Sequence, residues 1–357
     1  MAGSEPKSID GRIVRSEEPP NLEMPFEKLD GFVTPTESFY VRTHFPIPKI
    51  DRNKWRLRVE GEVEKTFEIS YDELLELEAR KIPATLECAG NNRDLLEKKV
   101  KGVQWGLGAV GNAEWTGVPL SILLDRAGIK SNALEIILEG ADSGSVEDPK
   151  APAGELRFAR SIPLEKAMTD VLLAYQMNDA DLLPPHGFPL RAIVPGWYAV
   201  ASIKWLQRII ATDRPFNGYY QTLDYAFWKR RGDVAELTPL TEMQVKAEIA
   251  RPVQGESVSA NSTVRVHGAA WTSEGEIARV ELSSDRGSTW HEAKLLGESK
   301  PNAWRLWEFS WKTPSAGKAT LIARATDSKG RTQPVDRDPD RGTYMINHLL
   351  PIDVEVV

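Results

Sequence analysis

Ala84-Thr85-Leu86-Glu87-Cys88-Ala89-Gly90-Asn91-Asn92-Arg93 is the stretch on which the reading of this chain turns. An extended segment runs into a cysteine and then into small, flexible residues. That pattern places a thiol at a strand end, beside backbone amides left free by a tight loop. Arg93 is close enough in sequence to favour the thiolate. Cys88 is also the one cysteine in 357 residues. An intrachain disulfide is therefore excluded, as are Cys-rich zinc and iron–sulfur sites. The five histidines are His44, His186, His267, His291 and His348. None pair at i,i+4, so no helical metal-ligand pattern is present. A lone cysteine is most often a small buried hydrophobe. Two chemical readings stand beside that one. Cys88 is a nucleophile, although neither His44 nor His186 is identifiable as its base. Or it is the single soft ligand of a metal whose other ligands arrive with a bound cofactor.

The rest of the chain frames this choice. Its length predicts two or three domains. It is 41% hydrophobic and 27% charged, as a soluble globular protein is. No apolar run reaches the roughly 20 residues that cross a bilayer. Met1 to Asp10 lack a secretory pattern, which predicts a cytoplasmic chain, or a periplasmic one if a signal has been removed. The net charge of −7 argues against a nucleic-acid partner.

Two regions read differently. Residues 1–242 mix helical and extended patterns. Tyr71 to Leu77 is a short amphipathic helix capped by Ser70. Pro119 to Gly128 is another, with Pro at its start and Gly at its stop. Trp55 to Gly61 alternates as a strand, and Ala133 to Leu138 reads as a buried strand. Residues 243–357 are nearly all strand signal. Thr263 to Gly268, Ala278 to Leu282, Trp304 to Trp311 and Ala319 to Ala325 are separated by turns at Asp285-Arg286-Gly287 and Asp327-Ser328-Lys329-Gly330. That spacing predicts an immunoglobulin-like antiparallel β-sandwich. No low-complexity linker separates the regions, so packed domains are expected.

Several motifs are weak. Gly106-Leu107-Gly108-Ala109-Val110-Gly111 fits G-x-G-x-x-G, but Gly117 and Pro119 would stop the helix a dinucleotide site requires. A loop that lets the backbone approach another ligand is the better reading. Asn261-Ser262-Thr263 is a chance glycosylation sequon. The acidic pairs Asp72/Glu73 and Asp338/Asp340 read as solvated charges.

Leu86 to Arg93 resembles the molybdenum-binding cysteine motif of the sulfite oxidase family. The resemblance continues in order along the chain. It includes Phe39-Tyr40-Val41-Arg42-Thr43-His44-Phe45-Pro46, the segment from Gly106 to Leu120, and Glu139-Gly140-Ala141-Asp142-Ser143. It resumes at His186-Gly187-Phe188-Pro189-Leu190-Arg191, Ile203-Lys204-Trp205 and Asp224-Tyr225. In the sandwich it includes Ser284-Asp285-Arg286-Gly287-Ser288-Thr289-Trp290. It implies an α+β chain: a mixed α/β molybdopterin-binding catalytic domain over 1–242, then an immunoglobulin-like dimerisation domain over 243–357.

The same resemblance implies a mononuclear molybdenum oxidoreductase that oxidises sulfite to sulfate by oxygen-atom transfer. Cys88 would be the one protein ligand of molybdenum. Arg42, His44, Asp142, His186, Arg191, Ile203, Lys204 and Trp205 fall on positions that hold molybdopterin. Arg42 and Arg93 fall on anion-pocket positions, Tyr225 on the active-site tyrosine and Trp115 on a pocket-wall aromatic. Vertebrate-type members carry a further substrate arginine near the chain end. Tyr344 to Val357 contains no matching arginine, and His348 is the candidate in its place. No haem domain precedes the molybdenum domain, so a separate acceptor is expected, a cytochrome c-like protein or another. The expected partners are thus sulfite or a similar oxyanion, that acceptor and a second copy of the chain. Three alternatives remain open at this point. They are a same-fold enzyme reducing nitrate or a sulfoxide, a non-catalytic binding or assembly protein built on the sandwich, and a thiol enzyme using Cys88.

Overall fold

In a computed structural model, residues 7–148 and 150–357 are described. Two five-stranded sheets build the first region. In one, Arg80–Glu87 pairs antiparallel with Val110–Pro119, which pairs with Leu172–Met177; that strand holds Arg191–Ile193 and Ala180–Asp181. In the other the order is Phe67–Ser70, Arg56–Gly61, Leu206–Thr212, Glu135–Gly144 and Leu156–Pro163. Only Arg56–Gly61 and Leu206–Thr212 run parallel in it. Short helices join the strands. Tyr71–Leu75 starts with a full capping box, in which the Ser70 side chain and the Glu73 side chain each satisfy the other residue's backbone N–H. Glu73, read as a solvated charge, is thus also a cap. Leu120–Ala127 stops at Gly128 in the left-handed region.

The strand expected over Ala133 to Leu138 forms as Glu135–Gly144 and is buried on alternate residues rather than throughout. One of its faces meets the core and the other is partly open, which the apolar run alone does not distinguish from full burial.

Gly106 to Gly111 opens no helix; the chain enters the Val110–Pro119 strand instead. The glycines are there for the protein itself, not for a ligand. A Cβ on Gly108 would sit 1.8 Å from the Met24 carbonyl oxygen. The amides of Gly106 and Gly108 donate to the Glu23 carboxylate at 3.0 and 2.9 Å.

Residues from Lys246 onward form two facing sheets. One orders Lys246–Arg251, Thr263–Trp271, Arg305–Lys312 and Lys294–Leu295. The other orders Ser257–Val258, Ile352–Val356, Gly317–Asp327, Ile277–Ser283 and His291–Glu292. One edge pair, Ser257–Val258 with Ile352–Val356, is parallel, a departure from the all-antiparallel expectation. Val266, Val280, Trp307, Leu321 and Ala325 fill the space between the sheets. The sandwich packs against the first region. Trp304 Nε1 donates to the Phe32 carbonyl, and the Asn302 carbonyl accepts from the Thr85 amide, both at 2.9 Å. Among the described residues no helix is long and apolar enough to cross a membrane.

Candidate active site

The Arg80–Glu87 strand is exposed at its start and fully buried over its last four residues. It therefore delivers Cys88 to the interior. The Cys88 amide donates to the Ala109 carbonyl at 2.8 Å, continuing the pairing with Val110–Pro119 for one residue. The loop then turns tightly. The Asn91 amide donates to the Cys88 carbonyl, the Asn92 amide to the Gly106 carbonyl, and Asn92 is left-handed. The expectation of free amides thus fails at Asn91 and Asn92, because neighbouring carbonyls take both.

Cys88 lines a cavity that, with its mouth, encloses about 670 Å³. Five other segments converge on it. The extended stretch after Val41 brings Arg42 and His44. Asp142 comes from the Glu135–Gly144 strand. His186 sits in the Pro184–His186 turn and Arg191 opens the following strand. Ile203, Lys204 and Trp205 lead into Leu206–Thr212, and Tyr225 precedes an exposed hairpin, Ala226–Arg231 with Val234–Pro239. Trp205 and Tyr225 both hold positive φ, 53° and 57°. Left-handed backbone in bulky residues is sterically costly and persists only where the surroundings enforce it.

The cations are held by backbone carbonyls. Arg191 donates to the carbonyls of His186 at 3.0 Å and Ser202 at 3.3 Å, and its Nε has no partner among the described residues. Lys204 donates to the Pro185 carbonyl at 2.9 Å and lies 4.2 Å over the Trp205 ring. Gly187, at φ 108°, lets these two side chains come together; a Cβ there would lie 3.0 Å from Arg191 Cβ and 3.1 Å from Lys204 Cβ. His186 Nε2 faces the Thr36 carbonyl at 3.2 Å. His44 Nε2 and the Tyr225 hydroxyl share a 2.7 Å hydrogen bond.

Burial dominates the electrostatics. It holds Lys204 well below the usual lysine range, with Arg191 adding to the effect and Asp142 opposing it. It lowers Arg191 to about 10. It raises Asp142 to about 6, against the pull of Lys204. Burial, then Arg191 and Lys204, lower His186 to about 3. Burial, then Arg42 and Lys204, hold His44 well below its ordinary value. Burial raises Tyr225 to about 12, with Arg42 opposing. Burial would lower Arg42, but Tyr225 and Cys88 outweigh it and its pKa rises. Both histidines are therefore neutral at pH 7. Three basic side chains, buried Arg191 and half-buried Arg42 and Lys204, face one carboxylate in the lining. Buried charge without a partner is costly, so the cavity favours an anionic occupant. A thiol on its wall adds a soft donor. A metal-bearing cofactor with a phosphate fits that donor set.

Three expected residues lie outside the lining. Trp115 is fully buried behind it, edge-on to Phe39 and 4.9 Å beneath the Arg191 guanidinium. It packs the wall from behind, where its large ring supports the side chains that face the space. Arg93 turns toward the sandwich, donating from Nε to the Thr343 carbonyl at 2.9 Å and stacking 4.9 Å from the Tyr344 ring. Tyr344 in turn stacks on Tyr225, centroids 4.9 Å apart. His348 is outside the lining as well. Burial, then Arg337 and Lys246, lower it.

The sandwich does bring arginines to this end, and the sequence reading missed them. Arg337 precedes the short Pro339–Arg341 turn and Arg341 ends it, just before the Tyr344 to Val357 tail. Burial, then Arg341, lower Arg337, and Arg93 adds to the effect. Arg337 Nη1 is buried without a partner among the described residues. The signal was present as Asp336-Arg337-Asp338-Pro339-Asp340-Arg341, but the acidic Asp338/Asp340 pair within it read as solvated loop charges.

Residues 44–220 match the oxidoreductase molybdopterin binding domain family, and residues 238–345 match the Mo-co oxidoreductase dimerisation domain family. Sulfite oxidase of Gallus gallus is 34% identical over 354 residues, covering 94% of this chain and 75% of that protein. The mitochondrial sulfite oxidase of Drosophila melanogaster is 35% identical over 343 residues, and there this chain spans 58% of the relative's length. A nitrate reductase of Solanum lycopersicum is 34% identical over 351 residues, 88% of this chain and 38% of that protein. The crystal structure of the sulfane dehydrogenase SoxCD from Paracoccus pantotrophus superposes with a TM-score of 0.81 at 28% identity, over 94% of this chain and 84% of that one. The chain belongs to the sulfite oxidase family of molybdopterin-binding oxidoreductases.

Proposed function

We propose that this protein is a molybdenum-dependent oxidoreductase that oxidises sulfite to sulfate and passes the electrons to a separate acceptor. The observation that carries the reading is the sole cysteine on the wall of a buried cavity that holds Arg42, Arg191 and Lys204 against one carboxylate. In this reading residues 1–242 are the catalytic domain and residues 243–357 the dimerisation domain of a homodimer.

Cys88 holds the metal. Arg191, Lys204, His186, Asp142 and the Ile203–Trp205 segment would hold the pterin and its phosphate, together with Arg42 and His44. When bound, such a cofactor would supply oxygen-atom-transfer and two-electron redox chemistry, with water as the net source of the oxygen. The chain's own residues do the rest. Arg42 draws the anion in and fixes its orientation, which removes much of the entropic barrier. Arg93 and Arg337 add positive charge on the sandwich side of the cavity and raise the local anion concentration. Tyr225, protonated at neutral pH, donates a hydrogen bond to the reacting oxyanion. Neutral His44 orients its hydroxyl. Trp115 keeps the Arg191 side of the wall rigid and dry.

A second reading, reduction of nitrate in the same pocket, is favoured by the identity to the plant nitrate reductase. Steady-state assays of one molybdenum-replete preparation with sulfite, nitrate and methionine sulfoxide separate the two. Sulfite turnover with a panel of acceptors is the expected outcome. Nitrate turnover without sulfite oxidation would replace this reading with the second.

A further inference from the structure

Successive residues of a strand face opposite ways, and Glu87, one residue before Cys88, points away from the cavity. Both oxygens of its buried carboxylate are taken by the sandwich. Lys246 Nζ donates to Oε1 at 2.8 Å, and Trp271 Nε1 donates to Oε2 at 2.9 Å. Lys246 is 1% exposed. It also meets the Glu248 carboxylate at 3.0 Å and donates to the Asn92 side-chain oxygen. Asn91 Nδ2 reaches Glu87 and Glu248, each at 3.4 Å. The Met345 amide donates to the Ala89 carbonyl at 2.9 Å. Four residues flanking Cys88, on both sides of it, are therefore tied to the second domain.

A buried trio of one ammonium and two carboxylates is a poor way to gain stability, because desolvation consumes most of the attraction. What the trio does achieve is a single geometry for the loop that ends in the thiol. Lys246 and Trp271 touch none of the cavity space themselves.

We propose that the sandwich positions the metal ligand: Lys246 and Trp271, acting through Glu87 and Asn92, hold the loop so that the Cys88 thiolate meets the metal in one orientation. This rests on the reading that Cys88 binds molybdenum. Groups that orient a ligand from behind commonly change metal affinity by about 10- to 100-fold when removed.

The test uses purified holoenzyme carrying Lys246→Met or Trp271→Phe. The control is Val266→Ala, a core substitution in the sandwich interior. Molybdenum remaining per chain is followed over time, each protein held equally far below its own Tm. The paramagnetic resonance spectrum of the half-reduced metal is recorded alongside. Lys246→Met should lose molybdenum at least about tenfold faster than the control and give a displaced spectrum; Trp271→Phe should follow with a smaller change. Loss at the control rate with a wild-type spectrum in both variants overturns the proposal. Where Lys246→Met does not fold, Trp271→Phe decides. Should wild-type protein contain no molybdenum, the cofactor reading fails by itself. The alkylation rate of Cys88, the sole thiol, then tests the clamp: faster in both variants than in the control if the sandwich holds the loop, unchanged if it does not.

Discussion

Arg191 and Lys204 show how single residues carry this site. Arg191 is buried and Lys204 half-buried, and each is met by carbonyls rather than by a full counter-charge. Lys204→Met should leave the fold intact and reduce cofactor occupancy about tenfold or more, measured as molybdenum per chain. Full occupancy in that variant would remove Lys204 from the cofactor's holders. Tyr225→Phe deletes one hydroxyl without changing the ring stack on Tyr344. Loss of a single oxyanion donor costs about 100-fold in kcat, with KM moved much less. Unchanged kcat would show that the hydroxyl does not meet the reacting group. At this scale Cys88, His186 and Arg191 were legible because each lies inside a contiguous motif, where neighbours in sequence are neighbours in the pocket. Arg337 was not, because its place beside Arg93 depends on how two domains dock. The turn of Arg93 toward the sandwich has the same cause: the acceptor of its Nε, the Thr343 carbonyl, belongs to the other domain.

Short elements, mostly strands, position these groups, and their ends were the more readable parts. Ser70 and Gly128 marked helix boundaries correctly, since capping is a local matter of one side chain or one φ. Ser70→Ala breaks the capping box and should cost about 1 kcal/mol in urea unfolding. A cost near zero would mean that packing alone fixes that helix. The glycine run at 106–111 was read for the wrong partner. Flexibility is visible in a sequence, but what approaches the backbone is not; here it is Met24. Gly108→Ala should therefore destabilise by about 1–3 kcal/mol, read from the same unfolding curves. The strand over Glu135–Gly144 shows a related limit, because an apolar run does not say whether one face or two will be covered.

The whole molecule responds to pH through its buried histidines. His186 sits at about 3 in the fold against about 6.5 unfolded. Between those values the unfolded chain binds the additional proton, so stability falls as pH drops from about 6.5 toward 3. Asp142 acts in the opposite sense over a narrower window. It keeps its proton up to about 6 when folded and about 3.9 when unfolded, so the stability it lends is lost as pH rises between them. The histidine effect spans more pH, and His44 adds to it. His186→Gln should flatten the fall of Tm below pH 6.5 in calorimetry; an unaltered slope would contradict the assignment. The overall architecture was readable at this scale, since strand spacing after Lys246 differs so plainly from the mixed pattern before it.

The central claim is that Cys88 carries a molybdenum centre that turns sulfite into sulfate. Sulfate formed per molybdenum, for wild type and for Cys88→Ser loaded in the same cofactor-competent host, tests it most directly. The account predicts catalytic sulfate formation by wild type and a loss of about 1000-fold or more in the folded variant. Molybdenum-replete wild type that leaves sulfite unchanged, or a Cys88→Ser variant that matches it, would contradict the account.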